Sequence, residues 1–445
     1  MIDISPELLT ALMFGGLIVL AATGYPLGIL LLGIGTGVGY LLMGPKVIEL
    51  FRVGSFRILS NYVFMAVPLF VFMGIIVEKS GLTEKLYDAL YVWLGGLRGG
   101  LALTVILIGT LLAACVGIIA ASVITMGVIA YPVMVRQGYH KSFAAGCVCA
   151  GGTLGTLIPP SIMLITYGPL AGLSVGQLFM SSLTAGLIVS AMYCAYILVR
   201  AAIQPEIGPP IPVQERAVPV RRKMKMLYTS LLPPLLLILA VLGGIFFGVA
   251  TPTEAAGVGA VAALIMAAVF RRLNWPVLRD AMIGTVEATC MVMLVALGAL
   301  MFTIVFDYGG GVDVVSRLIL SAPFGRWGSL LAILILVIIL GMFIDWIGIV
   351  FLVVPIATPI GAQLGFDPLW FAMMIIVALH TSYITPPFAT SIFFLKGVIK
   401  PEWGTLTMGD IVRGVYPYIL VLCGSLVLFA LFPRILLWLP DLMIR

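Results

Sequence analysis

Two short stretches of this 445-residue chain concentrate residues that can hold an ion. Residues 150–161 read AGGTLGTLIPPS, residues 380–391 read HTSYITPPFATS, and both lie within long apolar runs. A helix in lipid satisfies its own backbone groups, so glycines and a proline pair at mid-membrane need a reason: burial in protein, or a cavity that holds a ligand. The glycines end one half-helix, and Pro160, or Pro387 at the matching place, suits the first turn of the next. At such a break the carbonyls closing the first half-helix can coordinate a cation, and the free N–H groups opening the second favour an anion. Thr153, Thr156, Ser161, Thr381, Ser382 and Thr385 add oxygens suited to Na+, a hard cation. The competing reading is a proline kink whose hydroxyls bond back to the helix, but symmetric duplication favours a site.

Facing each break the chain offers a glycine-interrupted apolar segment, CVGIIAASVIT at 115–125 and GMFIDWIGI at 341–349. Asp345 is an acid deep in such a segment, which is costly and by default functional; the alternative is a carboxylate that caps the following half-helix. Glu254 and Glu287 are further candidates, each expected near a helix end, where a first-turn carboxylate stabilises the helix dipole. His380 is either a proton carrier or a packed polar residue facing the cavity. No Lys or Arg falls within an expected core segment, so a carboxylate substrate has only bound cations and helix N-termini to neutralise it. That favours cation symport, in which each charge moved inward gains about 2.3 kcal/mol per 100 mV. Neither a Walker-type loop nor an acid–base pair in a soluble pocket is present, so enzymatic catalysis is unsupported.

The elements that must position these residues are membrane helices. Hydrophobic residues make up 62% of the chain and charged ones 9%, far from a soluble composition. The acidic start, MIDISPELLTALM, lacks a basic n-region, so its first helix is expected to be retained. The cysteines (Cys115, Cys147, Cys149, Cys194, Cys290, Cys423) lack metal-site spacing and read as buried packing thiols. The net charge of +6 is scattered over short loops, as membrane orientation requires, rather than gathered for nucleic acid.

Adding 227 to Pro132, Gly138, Ala145, Pro159 and Pro160 gives Pro359, Gly365, Ala372, Pro386 and Pro387. The chain therefore reads as an all-α integral membrane protein of two repeats. The first covers 1–203, with crossings near 6–24, 26–43, 61–78, 142–170 and 178–203, an interfacial amphipathic helix at 83–96, and a re-entrant hairpin at 100–135. Its broken helix is 142–170. The second repeat covers 227–445, with hairpin 327–362 and broken helix 369–395. Five crossings per half require inverted topology, with both termini outside. The proline-rich linker 204–226 carries Arg216, Arg221, Arg222, Lys223 and Lys225 and is expected on the cytoplasmic side. Lys79, Lys85, Arg98, Arg136, Lys141, Arg271, Arg272, Arg279, Lys396, Lys400 and Arg413 fall on that side too; Lys46, Arg52 and Arg57 are exceptions.

With GVATPTEAAGVGA at 248–260, GTLGTLIPPS at 152–161, GMFID at 341–345 and ITPP at 384–387, the chain resembles the large subunit of tripartite ATP-independent periplasmic (TRAP) transporters, over essentially its whole length. The resemblance implies a Na+-driven elevator transporter of a prokaryotic inner membrane. Its partners would be a small four-helix membrane subunit and a periplasmic binding protein that delivers an organic acid. Two or more Na+ ions would then bind between the hairpin tips and the breaks, at Gly117, Ser122, Gly155, Thr156 and Pro159, and at Asp345, Gly348, Thr381, Ser382 and Thr385. Thr153, Pro160, Ser161, His380 and Pro387 would face substrate. Where many members carry SGSS at the first hairpin tip, this chain has VGII at 116–119, leaving backbone carbonyls and Ser122. A substrate less hydroxylated than a sugar acid is the expectation. A stand-alone Na+/dicarboxylate symporter of related architecture is the alternative. A channel would want a continuous polar lining, which the sequence lacks.

Overall fold

The computed structural model describes residues 4–21, 23–117, 119–387 and 389–444. Ile118 in the first hairpin tip, Phe388 in the second break and the first three residues of the acidic start lie outside them. The described residues fold into helices alone, eight of them long and apolar enough to cross a membrane.

The first half runs through α1 (Pro6–Ala21), α2 (Leu27–Met43), α3 (Lys46–Leu59), a 3-10 turn (Tyr62–Met65) leading into α4 (Ala66–Lys79), and α5 (Leu82–Leu94). Then come α6 (Gly100–Val116), α7 (Ile119–Arg136), α8 (Lys141–Thr153), α9 (Ile162–Ala171) and α10 (Val175–Ile203). The second half begins with α11 (Val220–Ile238), which passes through a π turn (Leu239–Gly243) into the short α12 (Gly244–Phe246). It continues with α13 (Pro252–Val269), α14 (Trp275–Tyr308), α15 (Gly311–Leu320), α16 (Gly325–Gly341), α17 (Trp346–Gln363), α18 (Pro368–Ser382), α19 (Thr390–Val398), α20 (Met408–Leu431) and α21 (Arg434–Asp441). Adding 227 to the first residues of α7 and α8 lands on the first residues of α17 and α18.

Both hairpins close at their base. Leu101 N–H, opening α6, donates to Tyr139 Oη just past α7 at 3.1 Å. In the second hairpin Trp327 meets Phe366 edge-on, with ring centroids 5.6 Å apart. α8 lies against both arms of the first hairpin because it is glycine-rich there. A Cβ at Gly109 on α6 would collide with the Gly151 carbonyl, and one at Gly152 would stand 3.0 Å from Val123 N of α7. These glycines therefore serve close packing, and α8 ends beyond them, at Thr153.

The two halves differ in one large element. α3 and α4 are separated where the Asn61 side chain accepts from Val63 N and sets the 3-10 turn, whereas the corresponding α14 is a single helix of 34 residues. The corresponding stretch of α14, residues 286–290 (VEATC), carries no break signal. Glu287 is therefore an exposed residue in the interior of α14, not near a helix end, because the second half lacks the turn that would have created one.

Two further expectations change. The stretch 204–219 is strapped to the base of the first hairpin: Gly99 N–H donates to the Gly208 carbonyl (2.9 Å), His140 N–H to that of Ile207 (3.1 Å), and Ile211 N–H to that of Gly95 (2.7 Å). Glu215 accepts from Tyr91 Oη (2.5 Å) and Gln137 Nε2 (2.8 Å). Residues 220–226 already belong to α11, so Arg221, Arg222, Lys223 and Lys225 are helical rather than linker residues. Among the cysteines, Cys115, Cys147 and Cys149 are buried, while Cys290 and Cys423 lie on exposed helix faces, which an apolar segment facing lipid allows.

Candidate cation and substrate site

At the first break, α8 passes through a 3-10 turn (Leu154–Thr156) and an irregular stretch to Ser161, where α9 begins. Gly155, Pro159, Pro160 and Ser161 are all buried. Thr153 Oγ1 donates to the Ala150 carbonyl (2.9 Å), Thr156 Oγ1 to that of Thr153 (3.0 Å), and Ser161 Oγ to that of Thr156 (2.8 Å). The second break repeats the pattern. Thr381 Oγ1 donates to the Val377 carbonyl (3.0 Å), Ser382 Oγ to that of Leu379 (2.6 Å), and Thr385 Oγ1 to that of Thr381 (2.7 Å). Both proline pairs, Pro159-Pro160 and Pro386-Pro387, have cis peptide bonds.

This hydroxyl inventory has a chemical sense. Each hydroxyl proton is committed to a nearby carbonyl, so what the oxygens have left is lone pairs. A set of acceptors with spent donors suits a cation and would repel an anion's oxygens. Back-bonding to the helix, the competing reading of these residues, is thus present and compatible with ligation.

The two breaks meet. Thr156 Oγ1 lies 3.1 Å from His380 Nδ1, and both residues are buried. Because the Thr156 proton goes to Thr153, the imidazole Nδ1 is assigned as the donor, leaving Nε2 as a bare acceptor with no partner. The Tyr383 ring stands edge-on to His380 at 6.0 Å.

Each hairpin tip touches its break through a glycine. Gly117 closes α6 with φ at 65°, and a Cβ there would stand 2.8 Å from the Pro160 carbonyl oxygen. At the second tip a Cβ on Gly341 would collide with Ser382 Oγ. Asp345, half-buried, accepts from Ile347 N at 3.4 Å and caps α17. A Cβ on Gly348 would run into Leu27 of α2, so this glycine lets the tip pack closely against α2. Ser122 faces α4 rather than the first break, beside Glu78, Thr83 and Thr125. Thr153, Thr156, Ser161, His380, Thr381 and Ser382 are therefore gathered in one buried region, while Thr385 is half-buried and Pro387 exposed. Glu254 is a helix cap, its Oε2 accepting from Thr251 N and Oγ1, both at 2.8 Å.

Sequence reasoning missed one basic residue. A cavity of about 620 Å³ at the C-terminal end of α14 lies between α3 and α14 on one side and α9 and α17 on the other, lined by Arg57, Asn61, Thr303 and Asp307 among apolar residues. As sequence, Arg57 is only a charge on the unexpected side; its place beside a cavity depends on how α3, α9, α14 and α17 pack, which no local pattern marks.

Paired hairpins and discontinuous helices, related by an internal repeat and carrying acceptor-rich breaks at their meeting point, define the class as a membrane transport protein with two inverted-topology repeats. Residues 14–435 match the family described as "Tripartite ATP-independent periplasmic transporter, DctM component", and the chain belongs to that family. It is 30% identical to the C4-dicarboxylate TRAP transporter large permease protein DctM of Pseudomonas aeruginosa, over 92% of this chain and 93% of that one. It is 29% identical to the ectoine/5-hydroxyectoine TRAP transporter large permease protein UehC of Ruegeria pomeroyi, over 98% and 99% of the two chains. Among solved structures it shares the fold of the Alcanivorax borkumensis YdaH transporter, described as having an unusual topology, with a TM-score of 0.65 at 16% identity, covering 95% of this chain and 99% of that chain.

Proposed function

We propose that the chain is the permease of a Na+-coupled secondary transporter that imports an organic acid, working with a small membrane subunit and a periplasmic binding protein. The observation that carries this reading is the Thr156–His380 hydrogen bond, which joins two breaks where Thr153, Thr156, Ser161, Thr381, Ser382 and Thr385 have given their protons to carbonyls and keep lone pairs. Na+ ions would bind where Gly117 meets the Pro160 carbonyl and where Gly341 meets Ser382, with Asp345 nearby as cap of α17. The ions neutralise the substrate carboxylate that the breaks alone would repel. Arg57, free of any ion pair among the described residues, gives the cavity beside α14 one cationic group, with Asp307 also in its lining. The hairpins and broken helices form the moving part in an elevator cycle, with the linker cytoplasmic, the termini periplasmic and the inner membrane as the location.

The test is uptake into proteoliposomes, with and without a Na+ gradient, the small subunit and the binding protein. Uptake requiring all three is expected; uptake by this chain alone would defeat the tripartite reading in favour of a stand-alone symporter. The VGII tip leads us to expect a keto acid, hydroxy acid or aromatic carboxylate as substrate. Tight binding of a sugar acid by the partner binding protein would refute that part.

A further inference from the structure

On the side of the first hairpin tip away from the break, a second group of oxygens is assembled. Gly74 and Glu78 lie one turn apart on α4 and share the face that meets the hairpin. A Cβ at Gly74 would stand 2.5 Å from the Val116 carbonyl oxygen, so the end of α6 rests directly on α4. One turn further, Glu78 Oε1 accepts a long hydrogen bond from Thr125 Oγ1 of α7 at 3.5 Å. Thr83 and Ser122 line the same small void as Glu78, Val116 and Thr125. Both are buried, 1% and 2% exposed, and neither hydroxyl has a hydrogen-bond partner.

The electrostatics of this void are one-sided. A half-buried carboxylate faces the C-terminal end of α6, whose last carbonyls carry partial negative charge. The neighbouring Lys79 is turned away, paired with Asp280 at 2.7 Å, and Glu78 has no ion-pair partner among the described residues. Burying two unpartnered hydroxyls beside a carboxylate held by a single long hydrogen bond is expensive inside a membrane protein. A dehydrated monovalent cation meets the carboxylate and the lone pairs of both hydroxyls at once.

We propose that Glu78, with the hydroxyls of Thr83, Ser122 and Thr125 and the end of α6, forms a third Na+ site between α4 and the first hairpin. This rests on the transporter reading above but is separate from the two breaks. The repeat counterparts of Ser122 and Thr125 are Ile349 and Leu352, so the second half lacks the hydroxyls of this site. The protein therefore moves one cation more than its duplicated pair of breaks supplies, and that ion binds only while the hairpin lies against α4.

The test uses the purified chain with its small subunit, joined by the binding protein and its substrate in the transport measurements. First, thermal stability is followed as NaCl replaces choline chloride; Na+ stabilises the wild type, and Glu78→Gln and Ser122→Ala shift the half-effective Na+ concentration upward several-fold. Second, the Na+-to-substrate ratio is read from the reversal potential in proteoliposomes. Glu78→Gln lowers it by one, whereas Thr83→Val keeps the ratio but raises the Na+ requirement. Absence of Na+-driven uptake by the wild type would count against the transporter reading, not this site. A folded Glu78→Gln protein with an unchanged ratio and unchanged Na+ stabilisation would overturn the site. A change in proton rather than Na+ coupling would overturn its assignment to Na+.

Discussion

Gly117→Ala is the sharpest perturbation of the proposed tip-and-break contact. Gly117 sits at φ 65°, a left-handed conformation that costs an L-residue roughly 1–2 kcal/mol. The added methyl would also stand 2.8 Å from the Pro160 carbonyl oxygen, where ordinary contact begins at 3.4 Å, so tip and loop must separate. If the closed tip holds a cation against the break, losing 1–2 kcal/mol raises the half-saturating Na+ concentration about 5–30-fold. The assay is initial uptake against Na+ concentration at saturating substrate. Gly172→Ala is the control, since Gly172 has φ 66° but open space around its Cβ position, at the far end of α9. It imposes similar backbone strain and should leave the Na+ requirement unchanged. Equal effects from the two variants, or none from Gly117→Ala in a folded protein, would refute the reasoning.

Thr156→Val and His380→Asn should be coupled in their effect on Na+ half-saturation by about 0.5–3 kcal/mol in a double-mutant cycle, because they share one buried hydrogen bond; additive effects would remove His380 from the site. Gly146→Ala should destabilise the protein by about 1–3 kcal/mol, because its Cβ would run into the Gly414 carbonyl of α20, and a lowered melting temperature in detergent would show it. Thr251→Ala, which removes the cap of α13, should cost about 0.5–2 kcal/mol in the same assay without altering the Na+ requirement.

What the sequence made legible was set by local chemistry. The proline pairs and flanking hydroxyls marked both breaks, since a residue that cannot donate a backbone N–H announces itself in any context. The capping reading of Asp345 and Glu254 was likewise available from the residues following each acid. Rotational placement was harder to read. Whether Ser122 or Gly348 faces a break depends on how the helix emerges from its turn, and the structure turns Ser122 toward α4 and Gly348 toward Leu27. The docking of the linker was hidden because three of its bonds join backbone groups, which leave no side-chain signature, and its side-chain bonds to Glu215 join residues far apart in the chain. Glu78 was overlooked because it adjoins Lys79, and an acid–base pair at the end of an apolar run reads as a solvated boundary.

The two breaks differ in exposure: the first is buried throughout 150–161, while Thr385 is half-buried and Pro387 exposed in the second. Access sets the order of exchange. If ions occupy both breaks as proposed, the one at the second would leave while the first remains sealed, so unloading would run as a queue, and the Thr156–His380 bond would let the empty second site be sensed by the occupied first. Isotope exchange of Na+ would then proceed in two phases, a fast one from the second break and a slow one from the first.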